Sequence, residues 1–126
     1  MTIEDYCRDH RNWSEEVFGP PTKHDAEKLL KHIGLELDEV RKAPHDLEEW
    51  VDIIILAIDG AWRSGHCSYE IERALIRKQE KNKARVWNIN LNSTEPNLHV
   101  KGYTGEEFRE GFRQQVLPLD ERETNP

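Results

Sequence analysis

Glu36 and Glu39 stand three residues apart, and Glu49 and Asp52 repeat that spacing after an intervening loop. All four fall in segments whose apolar residues recur with helical period. Helix positions three apart share one side, so each pair directs two carboxylates the same way. If the two helices pack antiparallel, four acidic groups converge on one small volume. Repulsion and lost hydration oppose that arrangement unless a cation stands among the groups. With a divalent ion it becomes a hard, oxygen-lined site, and carboxylates without His or Cys suit Mg²⁺ or Mn²⁺ better than zinc. A di-iron centre would need Glu-x-x-His on facing helices, which this chain lacks. Blander explanations compete. Single acidic pairs are common on solvated helix faces, and Glu49 can serve Asp46 in a capping box.

The elements that must carry these residues are legible as helices. Ile3, Tyr6, Cys7, His10, Trp13 and Val17 recur at helical steps until Phe18-Gly19-Pro20-Pro21 breaks the pattern. Thr22 with Asp25 resembles a capping start for a second helix, whose face carries Ala26, Leu29, Leu30, Ile33, Leu37 and Val40 and which stops before Pro44. Asp46 with Glu49 opens a third, apolar nearly all round from Leu47 to Trp62 and so expected to be central and buried. Asp52 interrupts its oiliest stretch. Asp59 and Arg63 are spaced to pair with each other. After the Ser64-Gly65-His66 turn, Ser68 is expected to cap a fourth helix running to about Arg85. Its stripe begins with Ile71 and Leu75 and continues as Lys78, Asn82 and Arg85, a change from apolar groups to phosphate-type ligands on one face.

Periodicity weakens from Asn88 onward. A short helix is expected over Glu106–Val116 and disorder over Asp120–Pro126. The predicted fold is all-α: a four-helix-bundle-like core over residues 1–87, then a mostly irregular extension over 88–126 that packs on the core or on a neighbouring subunit.

The chain has 126 residues, the size of one domain, with 36% hydrophobic and 34% charged residues. A net charge of -7 argues against a nucleic-acid partner, which needs clustered Lys and Arg. Cys7 and Cys67 form no CxxC pair and read as reduced thiols. Met1–Asp5 lacks signal-peptide character, and the longest apolar run, Ile53–Ile58, is too short for a bilayer. No membrane partner is expected, and the expected location is the cytoplasm, that of a host if the chain is phage-encoded.

Several longer strings narrow the reading. They are Trp13…Phe18-Gly19, His32-Ile33-Gly34-Leu35-Glu36-Leu37-Asp38-Glu39, Glu48-Glu49-Trp50-Val51-Asp52 and Leu56-Ala57-Ile58-Asp59-Gly60-Ala61-Trp62-Arg63, followed by Lys78 to Trp87 and Leu98-His99-Val100. Together, over roughly residues 10 to 101, they resemble the MazG-type all-α nucleoside triphosphate pyrophosphatases, in particular the dATP/dGTP diphosphohydrolase (MazZ) branch found often in phages. Two positions depart from that pattern: Leu35 replaces an expected basic residue, and Trp87-Asn88 stands where Trp-Pro is usual.

The resemblance implies hydrolysis between the α and β phosphates of a purine nucleoside triphosphate, dGTP or dATP and also GTP. It implies Mg²⁺ or Mn²⁺ held by Glu36, Glu39, Glu49 and Asp52, with Glu39 the favoured proton acceptor. Lys78, Asn82 and Arg85 would meet the phosphates. From the residues themselves, Trp13 and Phe18 read as base-stacking or as core aromatics, and Glu48 as support behind the ligands. Asp59, seven positions past Asp52 on one face, reads as the same or simply as the partner of Arg63. A homodimer or homotetramer is implied too. Two other readings stay open: a related pyrophosphohydrolase of pyrimidine triphosphates or phosphoribosyl-ATP, and a non-catalytic helical interaction module.

Overall fold

A computed structural model of the chain describes residues 1–104 and 122–123. The helix expected over Glu106–Val116 lies outside those residues, as does most of the Asp120–Pro126 stretch. The fold is predominantly α-helical, and the chain divides into two compact units, residues 1–75 and 76–126.

In the first unit, α1 (Ile3–Phe18) opens on a closed capping box. Asp5 N donates to Thr2 Oγ1 and Thr2 N donates to Asp5 Oδ2, both at 3.0 Å. It ends at Gly19, whose φ of 86° and ψ of 177° lie in a region essentially closed to other residues. The start of α2 (Asp25–Lys42) departs from the expected cap. His24 occupies the N-cap position without a side-chain bond, while Asp25 accepts from Thr22 N and Oγ1 at 2.8 and 2.9 Å. Thr22 and Asp25 therefore tighten the turn before the helix instead of capping it.

α3 (Leu47–Arg63) is capped by Asp46, which accepts from Glu48 N at 3.0 Å. The expected box is left open on its other side, because Asp46 N donates to Ala43 O. Glu49 is thus released from the local role that capping would have given it.

The expectation of a buried third helix is corrected. In α3 Asp59 and Trp62 are buried, but Leu47, Trp50 and Ile54 are 73%, 50% and 55% exposed. The physical reason is a shortage of neighbours: among the described residues α3 packs mainly on α2 and α1, and those side chains stay open.

What fastens α1 to α3 is polar. Asp59 Oδ1 is bonded by His10 Nε2 at 2.8 Å and accepts from Ser14 Oγ at 2.6 Å and Trp62 Nε1 at 2.9 Å, while Oδ2 accepts from Arg63 Nε at 3.0 Å. The Arg63 guanidinium also donates to Ser14 O and Oγ, and Nη1 lies 3.4 Å from Asp25 Oδ2. One arginine thereby ties three helices, stacked over Trp62 with its Cζ 4.5 Å from the ring centre. Burial alone would push the Asp59 carboxyl up; bonds from Ser14, His10 and Trp62 and the Arg63 charge hold it below the usual carboxylate range.

Gly65, at φ 108°, turns the chain into α4 (Ser68–Ala84), which runs from the first unit into the second. Ser68 is its first helical residue rather than its cap, and Glu70 accepts from Cys67 N at 3.0 Å. Glu72 on α4 accepts from Glu4 N on α1 at 2.7 Å.

The second unit holds the end of α4 and a small antiparallel sheet in the order β1 (Arg85–Asn88), β2 (Leu98–Thr104), β3 (Arg122–Glu123). Trp87 faces His99 and Asn88 faces Leu98, with a bulge between Arg85 and Trp87. The extension is therefore not irregular throughout, and Arg85 is a strand residue, one step past the helix that was expected to carry it. Among the described residues, Val86, Asn88, His99 and Val100 are the sheet's buried ones. Two of these four are polar, which is why no apolar alternation announces the strands.

Candidate active site

α2 and α3 run back past each other through a four-residue link, so that Glu36 on one meets Glu49 and Asp52 on the other. Each of these three offers a carboxylate oxygen, and the three oxygens lie within 4.8 Å of one another. The Glu49 carboxyl is pushed up, first by loss of hydration and then by the charges of Asp46, Asp52, Glu39 and Glu36. Like charges crowd around Glu49, as at a site short of positive charge. Its donors are all carboxylate oxygens, the kind that suit a hard divalent cation.

Glu39 stands outside that group. It is exposed one turn further along α2 and pairs with Lys42 at 3.4 Å, yet its charge still acts on Glu49. Asp52, which sits in sequence between Val51 and Ile53, is exposed, and Glu36 and Glu49 are half-buried. The oily setting inferred for Asp52 is thus corrected: mutual proximity, not deep burial, marks these carboxylates. Glu48 is exposed and engaged at Asp46 through its backbone N–H. Asp59 belongs to the three-helix network instead of to the carboxylate group.

Lys78, Asn82 and Arg85 lie in the second unit. Lys78 and Asn82 are half-buried on α4, and Arg85 Nη1 donates to Asn82 Oδ1 at 3.0 Å. The Lys78 ammonium is held below its ordinary value by loss of hydration and by the neighbouring charges of Arg85 and Lys81. The three form a compact cationic and amide cluster.

A cleft of about 290 Å³ opens beside the carboxylates in the first unit, near the lower end of the roughly 300–1,000 Å³ usual for small-molecule sites. Leu29 and Leu56 line it with apolar surface, Phe18 and Lys28 stand on its walls, and Asp25, Asp59 and Arg63 also line it. His32 belongs to both places: it lines the cleft and approaches Glu36 Oε1 at 3.4 Å. Trp13 and Phe18 meet edge to face at 5.7 Å and stay 52% and 67% exposed, so neither is a core residue.

A model described as dATP/dGTP pyrophosphohydrolase matches residues 6–106. The chain belongs to the dATP/dGTP pyrophosphohydrolase family. The "Eaa protein" of Salmonella phage P22 is 37% identical over 96 residues, which cover 75% of this chain and 28% of that protein. The chain therefore spans little more than a quarter of that relative's length. No solved structure matches it. Among the described residues, no helix is long and apolar enough to cross a membrane.

Several site residues escaped the sequence reading. His32 was visible in principle, since it precedes Glu36 by four positions on one helix face. Asp25 and Arg63 sit 38 positions apart, and Lys28 carried no signal beyond an ordinary solvated lysine.

Proposed function

We propose that the protein is a divalent-cation-dependent pyrophosphohydrolase of purine deoxynucleoside triphosphates, converting dGTP and dATP, and also GTP, to the monophosphate and pyrophosphate. The convergence of Glu36, Glu49 and Asp52 within 4.8 Å, in a chain of this family, is the observation that supports it.

Glu36, Glu49 and Asp52 would hold Mg²⁺ or Mn²⁺. Such an ion supplies orientation of the triphosphate and a lowered pKa for the attacking water. Water adds to the α-phosphorus, the bond from that phosphorus to the bridging oxygen breaks, and pyrophosphate leaves with the electron pair. Glu39, which pairs with Lys42, would accept the water's proton. Lys78, Asn82 and Arg85 carry charged and amide donors of the kind that suit phosphoryl oxygens. Trp13 and Phe18 offer aromatic faces to the base.

The working molecule is a homodimer or homotetramer, which would cover the apolar side of α3. Its setting is the cytoplasm of a phage-infected host.

The test is product analysis over a nucleotide panel. Pyrophosphate release from purine triphosphates, lost on chelation and restored by Mg²⁺, is the expected result. Release of single orthophosphates, or turnover confined to pyrimidines, overturns the proposal.

A further inference from the structure

The cleft beside the carboxylates carries charge that is almost entirely committed. Asp59 takes four donors, and Arg63 spends its guanidinium on Asp59, Asp25 and Ser14. Asp25 is engaged by Thr22 and Arg63, and His32 by Glu36. Lys28 differs. It lines the cleft, and its ammonium has no hydrogen-bond or ion-pair partner among the described residues. It lies between Asp25 and His32 on one side of α2, at helix steps of three and four.

Its place along the helix matters as much as its state. Lys28 precedes Glu36 by eight residues, about 12 Å along the axis at roughly 1.5 Å per residue. A nucleotide with its phosphates at Glu36, Glu49 and Asp52 and its base in the cleft would bring that base to Lys28, with Leu29, Leu56 and Phe18 also lining the space. Lysine carries three donors and no acceptor. Guanine presents two acceptors on one edge, O6 and N7, whereas adenine replaces the first by an N6 amino donor. A lone ammonium at that edge satisfies guanine and opposes the adenine amino group.

We propose that Lys28 is a specificity-determining residue that reads the O6/N7 edge of the base and tilts the site toward guanine over adenine. This rests on the nucleotide reading given under Proposed function, so its test includes a measurement that needs no turnover.

Dissociation constants of dGMP and dAMP would be measured by calorimetry, with Mg²⁺, for the wild type and for Lys28→Met and Lys28→Gln, alongside kcat/KM for dGTP and dATP. A hydrogen bond from a charged donor supports an expected preference for dGMP of about tenfold. Both variants are expected to bring that ratio close to one, with the loss on the guanine side. An unchanged ratio overturns the proposal. So does an equal loss for both nucleotides accompanied by weaker binding of inorganic pyrophosphate, since Lys28 is then a phosphate ligand. So does failure of both monophosphates to bind. If no purine triphosphate yields pyrophosphate but dGMP binding still depends on Lys28, the hydrolytic reading fails and the base-reading role is supported.

Discussion

Glu49 and Asp59 are both carboxylates of α3, yet their surroundings drive them in opposite directions. Glu49 loses hydration among like charges, and its proton is held more tightly than usual. Its folded-state pKa lies above its unfolded value, so its contribution to stability is full below the ordinary carboxylate range and fades as pH rises through the raised value. The metal-free protein is therefore expected to gain stability on acidification from neutral pH, and Glu49→Gln to flatten that response in thermal melts. Glu49→Gln and Asp52→Asn should each raise the melting temperature of the metal-free chain while abolishing pyrophosphate release. Retained turnover in either would remove these carboxylates from the chemistry. Asp59 behaves conversely. Its pKa is depressed, so its stabilisation is present above about pH 4 and is lost as pH falls through the lower folded-state value. Asp59→Asn should cost about 3–5 kcal/mol in urea unfolding, because Arg63 would be left buried and short of its main partner.

At the scale of elements, the helix ends carry testable weight. Gly19 occupies a backbone region that a Cβ makes unfavourable, so Gly19→Ala should lower stability by about 1–3 kcal/mol. Thr2→Ala should cost about 1 kcal/mol by opening the capping box. Chemical denaturation would rank the two, and a neutral Gly19→Ala would contradict the observed turn. The same junction sets Phe18 at the cleft, so a change there is also expected to raise KM for nucleotide. The four helices were legible from their periodic apolar residues and from breakers such as Pro20, Pro21 and Gly65. The strands were not, because β1 has four residues and places Asn88 inward, opposite to the usual pattern. Arg85 fell on the wrong side of that boundary for the same reason: nothing in Lys81 to Trp87 marks where the helix stops.

At the scale of the whole molecule, several large apolar side chains stand in the open among the described residues. Leu30, Leu35, Leu47, Trp50, Ile54 and Leu75 are each at least half exposed. Isolated apolar residues are ordinary, but a concentration of large ones marks an interaction surface. Light scattering is expected to give a mass that is a multiple of 14.9 kDa. Ile54→Glu should shift that mass toward one chain, and a monomeric wild type would count against self-association.

Residue type and local period sufficed for the helices, for setting Glu49 and Asp52 on one side of α3, and for Asp59 with Arg63, because each depends on neighbours three or four positions away. What three-dimensional packing alone decided is which carboxylates meet across helices. It drew Glu36, Glu49 and Asp52 together, left Glu39 beside Lys42, and joined His10, Ser14 and Asp25 to a network anchored far along the chain. It also left α3 half uncovered, since burial depends on how many neighbours a helix finds and not on how apolar it is. Local spacing fixes the direction of a side chain on its own helix; the distance between two helices belongs to the fold.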